Sequence, residues 1–300
     1  MPITVSGGVT LNSGVVLTPG GGSPSPSPSP GSSNFGYTSG AYPPNATIDK
    51  FPFASDANAT DVGDLTVARG SLSGQSSSVS GYSSGGYDTG ASNVIDKFPF
   101  ASDDNATDVG NLLAGNYKSI GQSSTDNGYA SGGSTGTLLN TIQKFPFSSD
   151  ANSSDVGDLT LSVSSGAGQS SSTHGYASGG YDGNPGARNN IQKFTFSSDS
   201  NATDVGDLTL GRYNPSGQSS SVSGYSSGGY DGSGGAPGYT NIIDKFPFAS
   251  DGNATDVGDL TQNIHNAAGQ SSANSGYNSG GQSPSLSPNL PNVIDKFPFS

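Results

Sequence analysis

His174 and His265 are the only imidazoles in a chain of 300 residues that contains no cysteine. Nucleophilic catalysis needs a base beside the attacking serine or threonine, so a site of that kind would have to be built on one of them. They sit at different offsets. His174 directly precedes a Gly-Tyr-x-Ser-Gly-Gly segment, whereas His265 falls in a variable stretch ahead of Gly-Gln-Ser-Ser. A surface histidine is the ordinary reading of both. Glycoside hydrolysis asks instead for two carboxylates. Asp61 and Asp64 would supply them, but they recur as Asp108 with Asn111, Asp155 with Asp158, Asp204 with Asp207, and Asp256 with Asp259. A catalytic pair is normally unique, and one copied in every unit reads as structural, through turn hydrogen bonds and pairing with a recurrent lysine.

The stretch from Asp56 to Asp64 alternates oxygen-bearing side chains in the manner of a calcium loop. An EF-hand needs Gly at the sixth place and Glu at the twelfth, where this chain has Asp61 and Val67, so no calcium site is assigned. Asn45, Asn58, Asn105, Asn152, Asn201 and Asn253 open Asn-x-Ser/Thr triplets that fit N-glycosylation. Five of these keep a fixed place in a repeat, which Asx turns explain without any sugar. The residues therefore assign no catalytic, cofactor-binding or metal-ligating position. No cofactor is expected, and the chain is read as non-enzymatic.

What must position all these residues is one unit written almost six times. Ile-Asp-Lys-Phe-Pro-Phe, then Ser-Asp-x-Asn-Ala-Thr-Asp-Val-Gly-Asp-Leu, then Gly-Gln-Ser-Ser, then Gly-Tyr-x-Ser-Gly-Gly recur. The lysines fall at Lys50, Lys97, Lys144, Lys193, Lys245 and Lys296, giving a period of 47 to 52 residues. Such a period means stacked or radial copies of one supersecondary unit, each burying its apolar face against its neighbours. Gly, Ser, Asn and Pro at this density suppress helix, so the four segments read as four strands. The proline between the two Phe residues should lie at a strand end or a non-pairing position. Gly-Gln-Ser-Ser suits an innermost strand, where blades converge and large side chains would collide. Insertions collect after Gly-Tyr-x-Ser-Gly-Gly, which marks a variable loop.

The count is 22 strands, two short of six blades of four. The first blade lacks its innermost strand and the sixth its outermost. The fold class expected is an all-β propeller of six four-stranded blades, closed with help from residues Ile3 to Val16; an open β-solenoid and a five-bladed ring are the alternatives. Residues 1–19 read as an N-terminal β leader or anchor, 20–35 as a Pro/Ser/Gly-rich linker and 36–300 as the repeat array. Leu, Ile, Val and Phe make up only 53 of the 300 residues, a level at which composition alone suggests disorder. The net charge of −13 is modest for a disordered chain, and the apolar residues recur at fixed places. The acidic balance, 23 Asp and Glu against 10 Lys and Arg, repels phosphate backbones, so nucleic acid is excluded as a partner. No segment approaches 18 consecutive apolar residues, and the start lacks the pattern of a secretory signal, so neither membrane insertion nor classical secretion is expected.

Gly81–Gly86, Asn93–Phe100, Thr107–Leu112 and Gly121–Ser124 follow in the strand order of a blade that resembles the kelch-type propeller. The chain has no tryptophan, which kelch repeats usually carry, so its outer-strand packing must differ. The longer string Lys-Phe-Pro-Phe-Ala-Ser-Asp-Ala-Asn-Ala-Thr-Asp-Val-Gly-Asp-Leu-Thr, with Gly-Gln-Ser-Ser and Gly-Tyr-x-Ser-Gly-Gly, resembles repeats in structural and tail-fibre proteins of marine tailed phages and aquatic viruses. The head Ile-Thr-Val-Ser-Gly-Gly-Val-Thr-Leu resembles the leaders of such proteins. The resemblance implies a virion structural protein (fibre, appendage or capsid decoration) at the particle surface. It implies other virion or appendage proteins as partners of the leader and a host-surface glycan or protein at the loops, with homo-oligomers left open. A soluble carbohydrate- or protein-binding propeller is the alternative function.

Overall fold

The computed structural model describes residues 34–183, 186–233, 238–283 and 293–299. The leader, and the linker as far as residue 33, lie outside the described residues. Six antiparallel sheets contain the 22 strands. The first sheet pairs β1 (Phe35–Ser39), β2 (Thr47–Pro52) and β3 (Thr60–Asp64) in order. The second holds β4 (Ser73–Ser76), β5 (Ser80–Ser84), β6 (Val94–Pro99) and β7 (Thr107–Asn111), and the third β8 (Ile120–Ser123), β9 (Asn127–Ser131), β10 (Thr141–Pro146) and β11 (Ser154–Asp158). The fourth holds β12 (Ala167–Ser170), β13 (His174–Ser178), β14 (Asn190–Thr195) and β15 (Thr203–Asp207), and the fifth β16 (Ser216–Ser219), β17 (Ser223–Ser227), β18 (Ile242–Pro247) and β19 (Thr255–Asp259). The last pairs β20 (Ala268–Ser271), β21 (Ser275–Ser279) and β22 (Ile294–Pro298). Each Pro of Lys-Phe-Pro-Phe is the final residue of its strand, where the missing N–H costs no inner ladder bond.

Every sheet is one blade, and in all but the first, which has no such strand among the described residues, Gly-Gln-Ser is innermost. β4, β8, β12, β16 and β20 lie side by side about the axis and are buried throughout. Their glycines are there for space. A Cβ on Gly121 would stand 2.3 Å from the carbonyl oxygen of Gly74, and one on Gly217 2.1 Å from that of Gly168. The strand backbones thus pack directly on each other. Polar groups at this inner layer are paired between blades: the Ser76, Ser123, Ser170 and Ser219 N–H groups donate to the Oγ of Ser123, Ser170, Ser219 and Ser271 at 2.9–3.0 Å. Gln75, Gln122, Gln169 and Gln218 each donate through Nε2 to the carbonyl of the tyrosine in the next blade at 2.9–3.0 Å. Burying polar groups is tolerable where they are satisfied, as most of this layer is, the Ser76 hydroxyl and Gln270 Oε1 being without a partner among the described residues, and this explains how so few apolar residues suffice.

The apolar core lies further out, between blades. Tyr37 stacks on Phe100 and tilts against Phe98 of the next blade, at centroid distances of 5.0 and 5.4 Å. Tyr82, Tyr129, Tyr176 and Tyr225 repeat the contact with the Phe pairs 145/147, 194/196, 246/248 and 297/299. Tyr277 of the last blade then stacks on Phe53 of the first at 4.7 Å, with Phe51 at 5.6 Å. Gln270 Nε2 donates to the Tyr37 carbonyl across the same seam at 3.4 Å. This closes the ring, and the molecule is a six-bladed β-propeller. The open solenoid and the five-bladed ring are thereby set aside, since an open array would leave Tyr277 without its Phe pair and five blades would leave one sheet unplaced.

Candidate functional site

The blade strands give the ring two unlike ends. At the lower end lie the Ser-Asp-x-Asn-Ala-Thr loops, nearly constant in sequence, and they tie each blade to its neighbour. Lys50, Lys97, Lys144 and Lys193 pair with Asp103, Asp150, Asp199 and Asp251 of the next blade, and Lys296 with Asp56 across the closing seam at 3.4 Å. The recurrent lysine therefore meets an aspartate of the following unit, not Asp61 or Asp64 of its own, because the lysine's strand faces the next blade's loop. Asp61, Asp108, Asp155, Asp204 and Asp256 make the expected turn bond, accepting from the N–H two residues on at 3.1–3.3 Å. The triplet asparagines correct the Asx-turn reading. Asn105, Asn152, Asn201 and Asn253 accept instead from the N–H of Asp64, Asn111, Asp158 and Asp207 in the preceding blade, at 2.9–3.1 Å.

Halfway up each seam sits a polar side chain facing the previous blade. Asp96 and Asp244 are fully buried there, ion-paired to Arg69 at 3.0 Å and Arg212 at 2.9 Å. Thr66 and Thr209 add hydroxyl bonds of 2.7 and 2.6 Å to the same carboxylates. Burial pulls both guanidinium pKa values down, and the adjacent carboxylate works against that fall. Two other seams place Gln143 and Gln192 at this position, and the Arg site holds Asn116 and Val163. Charge is matched to charge and neutral to neutral at these four seams, as desolvation demands.

The upper end carries the variable loops, and here the aromatic residues outside the core gather. Tyr230 stands 5.3 Å from Tyr213 and 4.9 Å from Tyr239, while Tyr181 lies 5.5 Å from Tyr213. His265 joins the same group, 4.6 Å from Tyr239. Burial lowers the His265 pKa, and its Nδ1 lies 3.2 Å from the Gln282 carbonyl. Tyr213 is shifted up by burial, reinforced by the neighbouring tyrosines and Asp231. A smaller pair, Tyr87 and Tyr117 at 5.3 Å, faces the same way from the second and third blades. Short backbone bridges hold these residues: Tyr213 to Tyr230, Tyr230 to Tyr239, His265 to Gln282 and Tyr87 to Ala91.

Inside this aromatic arc, the mouth of the axis is framed by Ser71, Lys118, Ser165, Asn214 and Asn266, all with φ between 54° and 58°. Backbone N–H groups of Lys118, Ser165, Asn214 and Asn266 donate to the carbonyls of Ser71, Lys118, Ser165 and Asn214, at 2.7–3.1 Å. Left-handed backbone in non-glycine residues is costly, and five in a row are held by this run of bonds. His174 lies at the other end of the molecule, where its Nδ1 meets Thr173 Oγ1 at 2.8 Å. The fold does not bring the two histidines together. Among the described residues, no group of His, Asp or Glu side chains is placed to hold a metal ion.

A cavity of about 630 Å³ lies at the seam between the sixth and first blades, and Thr38, Tyr42, Asp49, Ala59, Lys118 and Val293 are among its walls. It opens where, among the described residues, the first sheet has no inner strand and the sixth no outer one. The aromatic arc was not visible from the sequence, because its members sit in loops of changing length with no fixed spacing. No protein-family model matches the chain, and no curated protein matches it either.

Proposed function

We propose that this propeller is a non-catalytic binding module that takes a glycan on its loop face, across the platform formed by Tyr181, Tyr213, Tyr230 and Tyr239 with His265. The observation that carries the reading is the contrast in side chains. Tyrosines beyond the structural set cluster in the most variable loops, while the opposite end repeats the same Lys–Asp and Asn contacts from blade to blade. A tyrosine face offers apolar area to the C–H side of a sugar ring and a hydroxyl at its edge. Asp231 follows Tyr230 directly and Gln282 is bridged to His265, and these two supply acceptors and a donor for sugar hydroxyls. The loops sit on a rigid scaffold, the usual location of binding residues.

A glycan array probed with the wild-type chain and with Tyr230→Ala tests this. The reading expects a bound glycan class that the variant loses at an unchanged melting midpoint. Absence of any glycan signal for the wild type would remove it. Presentation of the face on a virion or appendage is the setting implied by the resemblance of the repeats. Mass spectrometry of purified source particles tests that part, and absence of the chain from them would leave a soluble binding protein.

A further inference from the structure

The basic side chains of this acidic chain are almost all spent on its own structure. Eight of the ten Lys and Arg residues form ion pairs with aspartates. A ninth, Lys245, lies over the Tyr225 ring at 6.0 Å. The tenth is Lys118. Its ammonium pairs with no carboxylate among the described residues, and it is the only lysine outside the recurrent Lys-Phe position. A half-buried cation kept clear of 23 acidic side chains has no part in holding the blades together.

Nor does the local backbone explain it. Lys118 holds a left-handed conformation at the axis mouth, with φ of 56°, its N–H donating to the Ser71 carbonyl at 2.8 Å and its carbonyl accepting from Ser165 at 2.9 Å. Ser71, Ser165, Asn214 and Asn266 fill the equivalent places. Asparagine is favoured in that region and serine is small, whereas a long lysine gains nothing from the turn. What Lys118 has instead is company. Tyr87, Tyr117, Asn266 and Gln282 line the same cavity wall, and Gln282 is bridged to His265. Burial lowers the His265 pKa, the Gln282 carbonyl works against that fall, and Lys118 adds to it by like charge. The ammonium thus stands with the Tyr87–Tyr117 pair on one side and the His265 end of the platform on the other. Asn214, 5 % exposed at the same mouth, has its Oδ1 without a partner among the described residues.

The acids of the loop face have partners of their own. Asp182 is paired with Arg188, Asp88 accepts from the N–H groups of Thr89 and Gly90, and Asp231 accepts from that of Ser233. Asp49, on the same cavity wall, stands halfway down the seam at the place of Asp96 and Asp244. We propose that the ligand of this face is an acidic glycan, which sets a carboxylate or sulfate group on the Lys118 ammonium while its rings lie on the tyrosines. The inference rests on the glycan reading above and narrows its class. Asn266 Nδ2 donates to Gln282 Oε1 at 3.4 Å, which leaves Gln282 Nε2 as a donor for a second oxygen of the same anionic group.

Calorimetric titration of the full-length chain tests this with an oligogalacturonide for the carboxylate, a sulfated galactan oligosaccharide for the sulfate, and the carboxyl-reduced and desulfated forms as neutral counterparts. The wild type should bind at least one acidic probe about tenfold more tightly than its neutral form, and the arm that responds names the group. Lys118→Asn should abolish that preference, leave the neutral probe's affinity unchanged and not lower the melting midpoint, since asparagine suits the left-handed backbone. Lys118→Arg should keep the preference. Tyr230→Ala should weaken acidic and neutral probes alike. Equal affinity for acidic and neutral forms, or a preference that survives Lys118→Asn, would overturn the inference, and binding still sensitive to Tyr230→Ala would leave the glycan reading standing. Failure of every probe would also overturn it, and the glycan array then decides whether the wider reading falls with it.

Discussion

The lower end of the ring and its loop face are made by the same units, yet they differ in what repeats. Below the midline, contacts recur blade after blade at fixed partners: tyrosine on a Phe pair, lysine on the next unit's aspartate, asparagine on the previous blade's backbone. Above it, what is kept is backbone, the run from Ser71 to Asn266 and bridges such as Gly70 to Tyr87 and Tyr117 to Ser134, and the side chains diverge. The lesson is that stability and recognition are separable here. A propeller whose blades are held from one end can vary the other freely, since nothing in the closure depends on the loops.

The sharpest way to break that separation is to strike a buried contact between blades. Arg69→Met removes the ion-pair partner of the fully buried Asp96 carboxylate, and should cost about 3–5 kcal/mol in chemical denaturation. Restoring neutrality with Asp96→Gln in the same chain should recover much of the loss, since Gln143 and Gln192 occupy the position elsewhere. Alkali acts on three seams at once. Burial raises the Tyr82, Tyr129 and Tyr176 phenols to about 12, whereas an unfolded tyrosine ionises near about 10. Between those values the unfolded chain releases protons that the folded chain keeps, so stability falls as pH rises through this window and is whole below it. Denaturation midpoints measured across that range should drop steeply, and a flat profile would contradict the buried tyrosine ring. The smallest effect belongs to the exposed ion pairs: Lys97→Ala should change stability by about 0–1 kcal/mol, Asp150 being 61 % exposed.

Much of this was legible in the residues. The strand count among the described residues, the two three-stranded sheets there, the proline at a strand end and the small inner strand all followed from the spacing of Lys-Phe-Pro-Phe, Gly-Gln-Ser-Ser and Gly-Tyr-x-Ser-Gly-Gly, because local patterning sets local structure. The partners were not legible. A repeat offers the same aspartate in every copy, and nothing in the chain says that Lys50 will choose Asp103 in the next unit over Asp61 in its own. The asparagines misled for the same reason: Asn105 looks like a turn former within its unit, yet it bonds the N–H of Asp64, 41 residues earlier. The tyrosine platform was hidden differently, in insertions that no period reveals.

Ring closure is the claim that orders the rest, and Tyr277→Ala measures it most directly. Tyr82→Ala, within the array, removes a buried aromatic from its Phe pair and should cost about 3–5 kcal/mol. Tyr277 is the equivalent residue at the join between last and first blades, stacked on Phe53. A closed ring predicts a comparable loss for Tyr277→Ala in equilibrium unfolding, and an unchanged midpoint would mean that the ends of the array do not meet.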